Sequence, residues 1–81
     1  MKITVKLFAV ARQRAGCEAI EVELPEPPTV GNLRVALVEQ HPSLANILPH
    51  ARFAIDSEYT SDQAVVPQSA EIAIIPPVSG G

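Results

Sequence analysis

The sequence predicts an α+β domain: a mixed sheet curled over one principal helix. Three observations point there. Short stretches that alternate apolar and polar residues recur along the chain, the mark of half-buried strands. One longer stretch, residues 30–40, instead spaces its apolar residues as a helix does. And 81 residues, 47% apolar and 19% charged, make one globular domain with a modest core and no room for a second.

Residues 2–8 alternate, with Ile3, Val5 and Leu7 on one face and Lys2, Thr4, Lys6 and Phe8 on the other. Residues 9–15 (A-V-A-R-Q-R-A) are helix formers that stop at Gly16, a residue suited to a C-terminal cap. Residues 19–24 alternate again, with Ile20, Val22 and Leu24 inward, so that the first two strands can be antiparallel neighbours. P-E-P-P (25–28) reads as a rigid extended connector. Thr29 fits as the N-cap of the main helix, whose inward residues are Val30, Leu33, Leu37 and Val38. Gly31 weakens its first turn and Pro42 bounds its end. Ser43 reads as the cap of one further helical turn, L-A-N-I-L, cut off by Pro49. A third strand is expected over 51–56, a polar turn over 57–63 with Tyr59 its one large apolar body, a fourth strand at 64–66 and a fifth at 71–75. The fifth is nearly all apolar (I-A-I-I), which suits a central place beside the first.

Composition excludes several function classes. The net charge is −3, and the basic residues Lys2, Lys6, Arg12, Arg14, Arg34 and Arg52 form no run, unlike the basic stripe of a nucleic-acid binder. No stretch approaches the ~20 apolar residues that span a membrane, and the N-terminus alternates where a signal peptide would carry an apolar block. The single cysteine, Cys17, rules out an internal disulfide framework, and a cytoplasmic protein is expected. Cys17 has no base supplied by any motif and reads as a plain thiol. His41 and His50 stand nine apart beside prolines, a spacing that matches no metal site in one helix or hairpin. Asp56, Glu58 and Asp62 lack the glycine and terminal glutamate of a calcium loop. No bound cofactor or metal is expected, and residues 1–75 contain no recognisable active site.

The ending I-P-P-V-S-G-G is another matter. A Gly-Gly end arises by chance in roughly one chain in 200. Pro76 and Pro77 cannot donate to a sheet, so they stop strand pairing and hold the exit extended. Val78, Ser79, Gly80 and Gly81 complete a tail, 76–81, that reaches roughly 19–21 Å and narrows to two residues without side chains. Such a tip can carry its carboxylate down a narrow channel of another protein. A carboxylate is a poor electrophile, so it must be activated first, for instance as an acyl adenylate. A sulfur nucleophile can then convert it to a thiocarboxylate.

The segments L-F-A-V-A-R-Q-R-A-G (7–16), P-T-V-G-N-L (28–33), A-I-D (54–56) and E-I-A-I-I-P-P-V-S-G-G (71–81) resemble the small subunits of molybdopterin synthase, in the MoaD/ThiS group of ubiquitin-like sulfur carriers. The resemblance runs end to end and implies a β-grasp fold: a five-stranded mixed sheet on one main helix with a flexible Gly-Gly tail. It implies that a partner adenylyltransferase uses ATP to activate Gly81, that a sulfur donor converts it to the thiocarboxylate, and that the tail enters the large synthase subunit, in a heterotetramer. There sulfur passes to cyclic pyranopterin monophosphate. The chain itself would be a non-catalytic carrier. Two places depart from the family pattern: Q-S-A-E (68–71) stands where Asp-Gly-Asp-Glu is usual, and Asp56 where the third strand usually ends in Asn. Alternatives remain: a carrier for thiamin or tRNA thiolation, a covalent protein modifier, or an inert interaction module. Strand periodicity puts Phe8 and Ile75 on the sheet face away from the helix, where Tyr59 can join them. On the resemblance, these three form the patch that both partners bind in turn; otherwise they fill a cluster under a loop.

Overall fold

In the computed structural model, which describes residues 1–76, the elements follow one another as β1 (Lys2–Leu7), α1 (Ala9–Ala15), β2 (Ala19–Glu23), α2 (Val30–Gln40), β3 (Arg52–Ile55), β4 (Glu58–Thr60) and β5 (Ile72–Ile75). The sheet runs β2-β1-β5-β3-β4, with β1 and β5 parallel and the other pairs antiparallel. The apolar β5 is therefore central, with ladders on both sides. Alternation sends Ile3, Val5, Leu7, Ile72, Ile74 and Phe53 to one face, where α2 delivers Val30, Leu33, Ala36 and Leu37. Aliphatic burial dominates this core, as the scarcity of aromatics requires.

Two glycines sit where backbone geometry demands them. Gly16 adopts φ 75°, the left-handed cap of α1, and donates its N–H to Arg12 O at 2.9 Å. Gly31 lies so close to the 61–66 loop that a Cβ would stand 3.3 Å from Asp62 O. That approach lets loop carbonyls cap α2: Val30 N donates to Ala64 O (3.0 Å) and Gly31 N to Asp62 O (2.8 Å), while the Thr29 hydroxyl accepts from Asn32 N (3.2 Å). The expected weak first turn is thus held from outside the helix.

The fourth strand differs from expectation. It is Glu58–Thr60, within the stretch taken as turn, whereas Val65 makes only an isolated bridge to Thr29. The reason is Asp56 and Ser57, both left-handed (φ 50° and 72°), which form a two-residue hairpin turn and send the chain straight back along β3. A strand at the sheet edge with one face in water can be polar, so β4 lacks the apolar pattern that marks the others. The segment after α2 forms two short 3₁₀ turns, Pro42–Leu44 and Leu48–His50, and Ser43 caps neither. Their Leu44 and Leu48 are fully buried. The P-E-P-P connector turns as well, since Pro27 O accepts from Thr29 N (2.9 Å) and from the Asn32 amide (2.7 Å). Strand ends shift by one residue; Phe8 leaves β1 to become the N-cap of α1.

Two long side chains make ties that no sequence pattern announced. Arg34, on the flank of the α2 stripe, donates to Leu48 O and to Ala51 O (2.8 Å), pairs with Asp62 (2.7 Å), and stacks 4.9 Å over the Phe53 ring. Gln40 pairs through its amide with both backbone groups of Glu23 (2.9 and 2.8 Å), covering the β2 edge as another strand would.

Candidate functional site

Because β1 and β5 are parallel with Leu7 opposite Ile74, their C-terminal ends coincide and Phe8 falls beside Ile75. The same alternation that buries Ile72 and Ile74 turns Ala73 and Ile75 to the open face of the sheet. On β3 and β4, Ala54 stands opposite Tyr59. Phe8, Tyr59 and Ile75 thereby wall a groove of about 250 Å³ floored by the small side chains of Ala54 and Ala73. Phe8 is 47% exposed and Tyr59 62%; Ile75 is half-buried. So the structure brings together the three residues singled out for the open face. A larger cavity of about 530 Å³ lies along α2, between Leu24, Pro25, Val35 and Glu39, far from this strand end.

The chain changes course sharply at Phe8. Its carbonyl accepts from Ala11 N (3.1 Å) and Arg12 N (3.4 Å), and the next residue, Ala9, is left-handed at φ 52°. An alanine there carries strain on the order of 1–2 kcal/mol, stored next to the Phe8 wall of the groove.

Charges ring the apolar groove. Lys6 pairs with Glu71 at 3.2 Å, Arg12 with Glu18 at 3.1 Å, and Arg52 stacks over the Tyr59 ring at 5.3 Å. Asp56 makes the departure from the family pattern intelligible. Its side chain accepts from Glu71 N (2.9 Å) and its own N–H donates to Glu71 O (2.8 Å), clamping the entry to β5 with an acceptor that aspartate and asparagine share. Pro76 is buried at the exit. Pro77, Val78, Ser79, Gly80 and Gly81, the remaining tail residues singled out above, lie outside the described residues.

The other titratable residues stay apart. Cys17 is exposed, its Sγ 3.8 Å from Ala15 O. His41 Nε2 sits 2.8 Å from Glu21 O, His50 is exposed in its 3₁₀ turn, and Asp62 is taken by Arg34. Among the described residues no group of three or more His, Cys, Asp and Glu is placed to hold a metal ion, and no helix is long and apolar enough to cross a membrane.

The ThiS family model matches residues 5–81. The molybdopterin synthase sulfur carrier subunit of Arabidopsis thaliana is 38% identical over 81 residues, covering 100% of this chain and 84% of its own length. Small archaeal modifier protein 1 of Haloferax volcanii is 31% identical over 84 residues, covering 94% of this chain and 97% of its own. A crystal structure of SAMP1 from Haloferax volcanii superposes with a TM-score of 0.82 at 29% identity, covering 100% of both chains.

Proposed function

Since the chain belongs to the ThiS family and has its β-grasp, ubiquitin-like fold, we propose that it carries sulfur as a thiocarboxylate at Gly81, as the small subunit of a molybdopterin synthase. The carboxylate attacks ATP on a partner adenylyltransferase, releasing pyrophosphate and leaving an acyl adenylate. A persulfide sulfur displaces AMP, and thiol reduction of the resulting acyl disulfide leaves the thiocarboxylate. The tail then enters the large synthase subunit and gives its sulfur to the pterin precursor, cyclic pyranopterin monophosphate. The chain contributes reach and docking rather than catalysis. From the buried Pro76 the five remaining residues extend at most about 18 Å, so the body must seat close to each partner's active site.

The observation that carries this reading is the exposed Phe8–Tyr59–Ile75 groove at the strand end that leads into the tail, together with a family match running through residue 81. An apolar patch with aromatic walls is the kind of surface that protein partners cover. The test is intact-mass analysis after incubation with the adenylyltransferase, ATP and a persulfide donor. One oxygen should be replaced by sulfur on the C-terminal peptide, in the native chain and in Cys17→Ser alike. Loss of the sulfur in Cys17→Ser alone would make the carrier a cysteine persulfide and overturn the assignment.

The likeness to the archaeal modifier favours one second reading, in which Gly81 is joined to a lysine amine of another protein. The activation step is the same and the acceptor differs. Isopeptide-linked conjugates recovered from cells, with Gly81 on lysine, would select it.

A further inference from the structure

Arg52 differs from every other cation around the groove. Lys6 and Arg12 are each paired with a carboxylate on this chain. Arg34 stacks on a ring as Arg52 does, but two carbonyls and Asp62 occupy its donors. Arg52 lies on the exposed face of β3, directly across from Ile75, with its guanidinium over the Tyr59 ring at 5.3 Å. Among the described residues it meets no carboxylate within ion-pair distance. Stacking restricts the fork without using its N–H donors, so a planar cation with free donors is held beside the Tyr59 wall of the apolar groove, one strand from Ile75.

We propose that Arg52 reads an aspartate or glutamate carboxylate on the protein surface that covers this groove. This rests on the groove being the docking surface argued above. A carboxylate matches the guanidinium in plane and charge and can take two parallel hydrogen bonds. A phosphate fits less well, because its second charge would call for a second free cation, and Lys6 and Arg12 are already paired. Chemistry also explains why the pair belongs to the bound state. In water an Arg–carboxylate contact is worth little, but once the apolar walls are covered the same contact is desolvated and becomes selective. A partner with an apolar or basic residue at that point would leave the guanidinium buried without a counter-charge.

The test measures association with the large synthase subunit of the same source across a range of salt. The set is the native chain, Arg52→Gln, Arg52→Lys, Phe8→Ala and, as a charge control about 20 Å away along β1, Lys2→Gln. Arg52→Gln should weaken binding about tenfold at low salt and flatten the salt dependence. Arg52→Lys should recover the salt slope but only part of the affinity, since it lacks the fork. Lys2→Gln should change neither, and Phe8→Ala should weaken binding with its salt slope intact. If Arg52→Gln keeps native affinity and slope while Phe8→Ala weakens binding, Arg52 reads nothing and the docking surface stands. An equal slope change in Lys2→Gln would reduce Arg52 to part of a general field and overturn the proposal. Native binding by a folded Phe8→Ala protein would remove the docking surface itself.

Discussion

The two faces of the sheet are made from the same strands and lead different lives. On the inner face Val5, Ile72 and Ile74 are sealed beneath α2, and Phe53 is 1% exposed. On the outer face Phe8, Ile75 and Tyr59 stand around a floor of alanines, with Ser57 and Glu71 completing the lining and Lys6 and Arg52 beside it. The inner face is complete: every large apolar side chain has neighbours, and no buried side-chain polar atom among the described residues lacks a partner. The outer face is unfinished in a particular way, apolar at its centre and charged at its rim, which is how a surface awaiting a partner is built. On the proposed reading strand alternation divides stability from recognition, and substitutions should separate them.

The largest effect belongs to the inner face. Leu33→Ala should cost about 2–5 kcal/mol of stability by leaving a cavity against fully buried neighbours, measured by denaturant unfolding. The fraction that stays folded should bind partners normally. Arg34→Ala should cost about 1–3 kcal/mol, because the Ala51 carbonyl loses the guanidinium donor, the Leu48 carbonyl keeps only the Ala51 N–H, and Phe53 loses its cover. A loss below about 0.5 kcal/mol, the scale of an ordinary surface change, would show that the tie between α2 and the following turns is dispensable.

Ala9→Gly sharpens the comparison at the border between the faces. In the left-handed conformation glycine relieves strain, so the change should be neutral or stabilise by up to about 1 kcal/mol. Ala15→Gly, in the same helix, should instead cost about 0.5–1 kcal/mol. Opposite signs in two melting curves check the strained turn that presents Phe8. The smallest effect is expected from Lys6→Ala. Its pair with Glu71 is more than half exposed on both sides, and such pairs contribute about 0–1 kcal/mol.

Much of this arrangement was legible in the residues alone. Alternation over 2–8, 19–24 and 71–75 located three strands to within a residue, and the apolar I-A-I-I announced a central strand, since only a strand flanked on both sides tolerates that pattern. The face shared by Phe8 and Ile75 followed from the same period of two. What stayed hidden has a physical reason in each case. The β4 strand is polar because it lies at an edge, and its hairpin turns on left-handed Asp56 and Ser57 rather than on a glycine. Arg34 and Gln40 reach carbonyls far away in sequence, and local spacing says nothing about a contact made across the fold. The tail chemistry rested on composition and on the family likeness, not on any contact within the fold.

The division of faces is tested most directly by one paired titration. Folded Phe8→Ala protein, with its melting temperature checked, is titrated against the adenylyltransferase and separately against the large synthase subunit, then against each in the presence of the other. Weakening by about 1–3 kcal/mol toward both is expected, with little change in melting temperature and mutual exclusion of the two partners. Native affinity for both partners in the folded variant would contradict this division, and recognition would then rest on the tail alone.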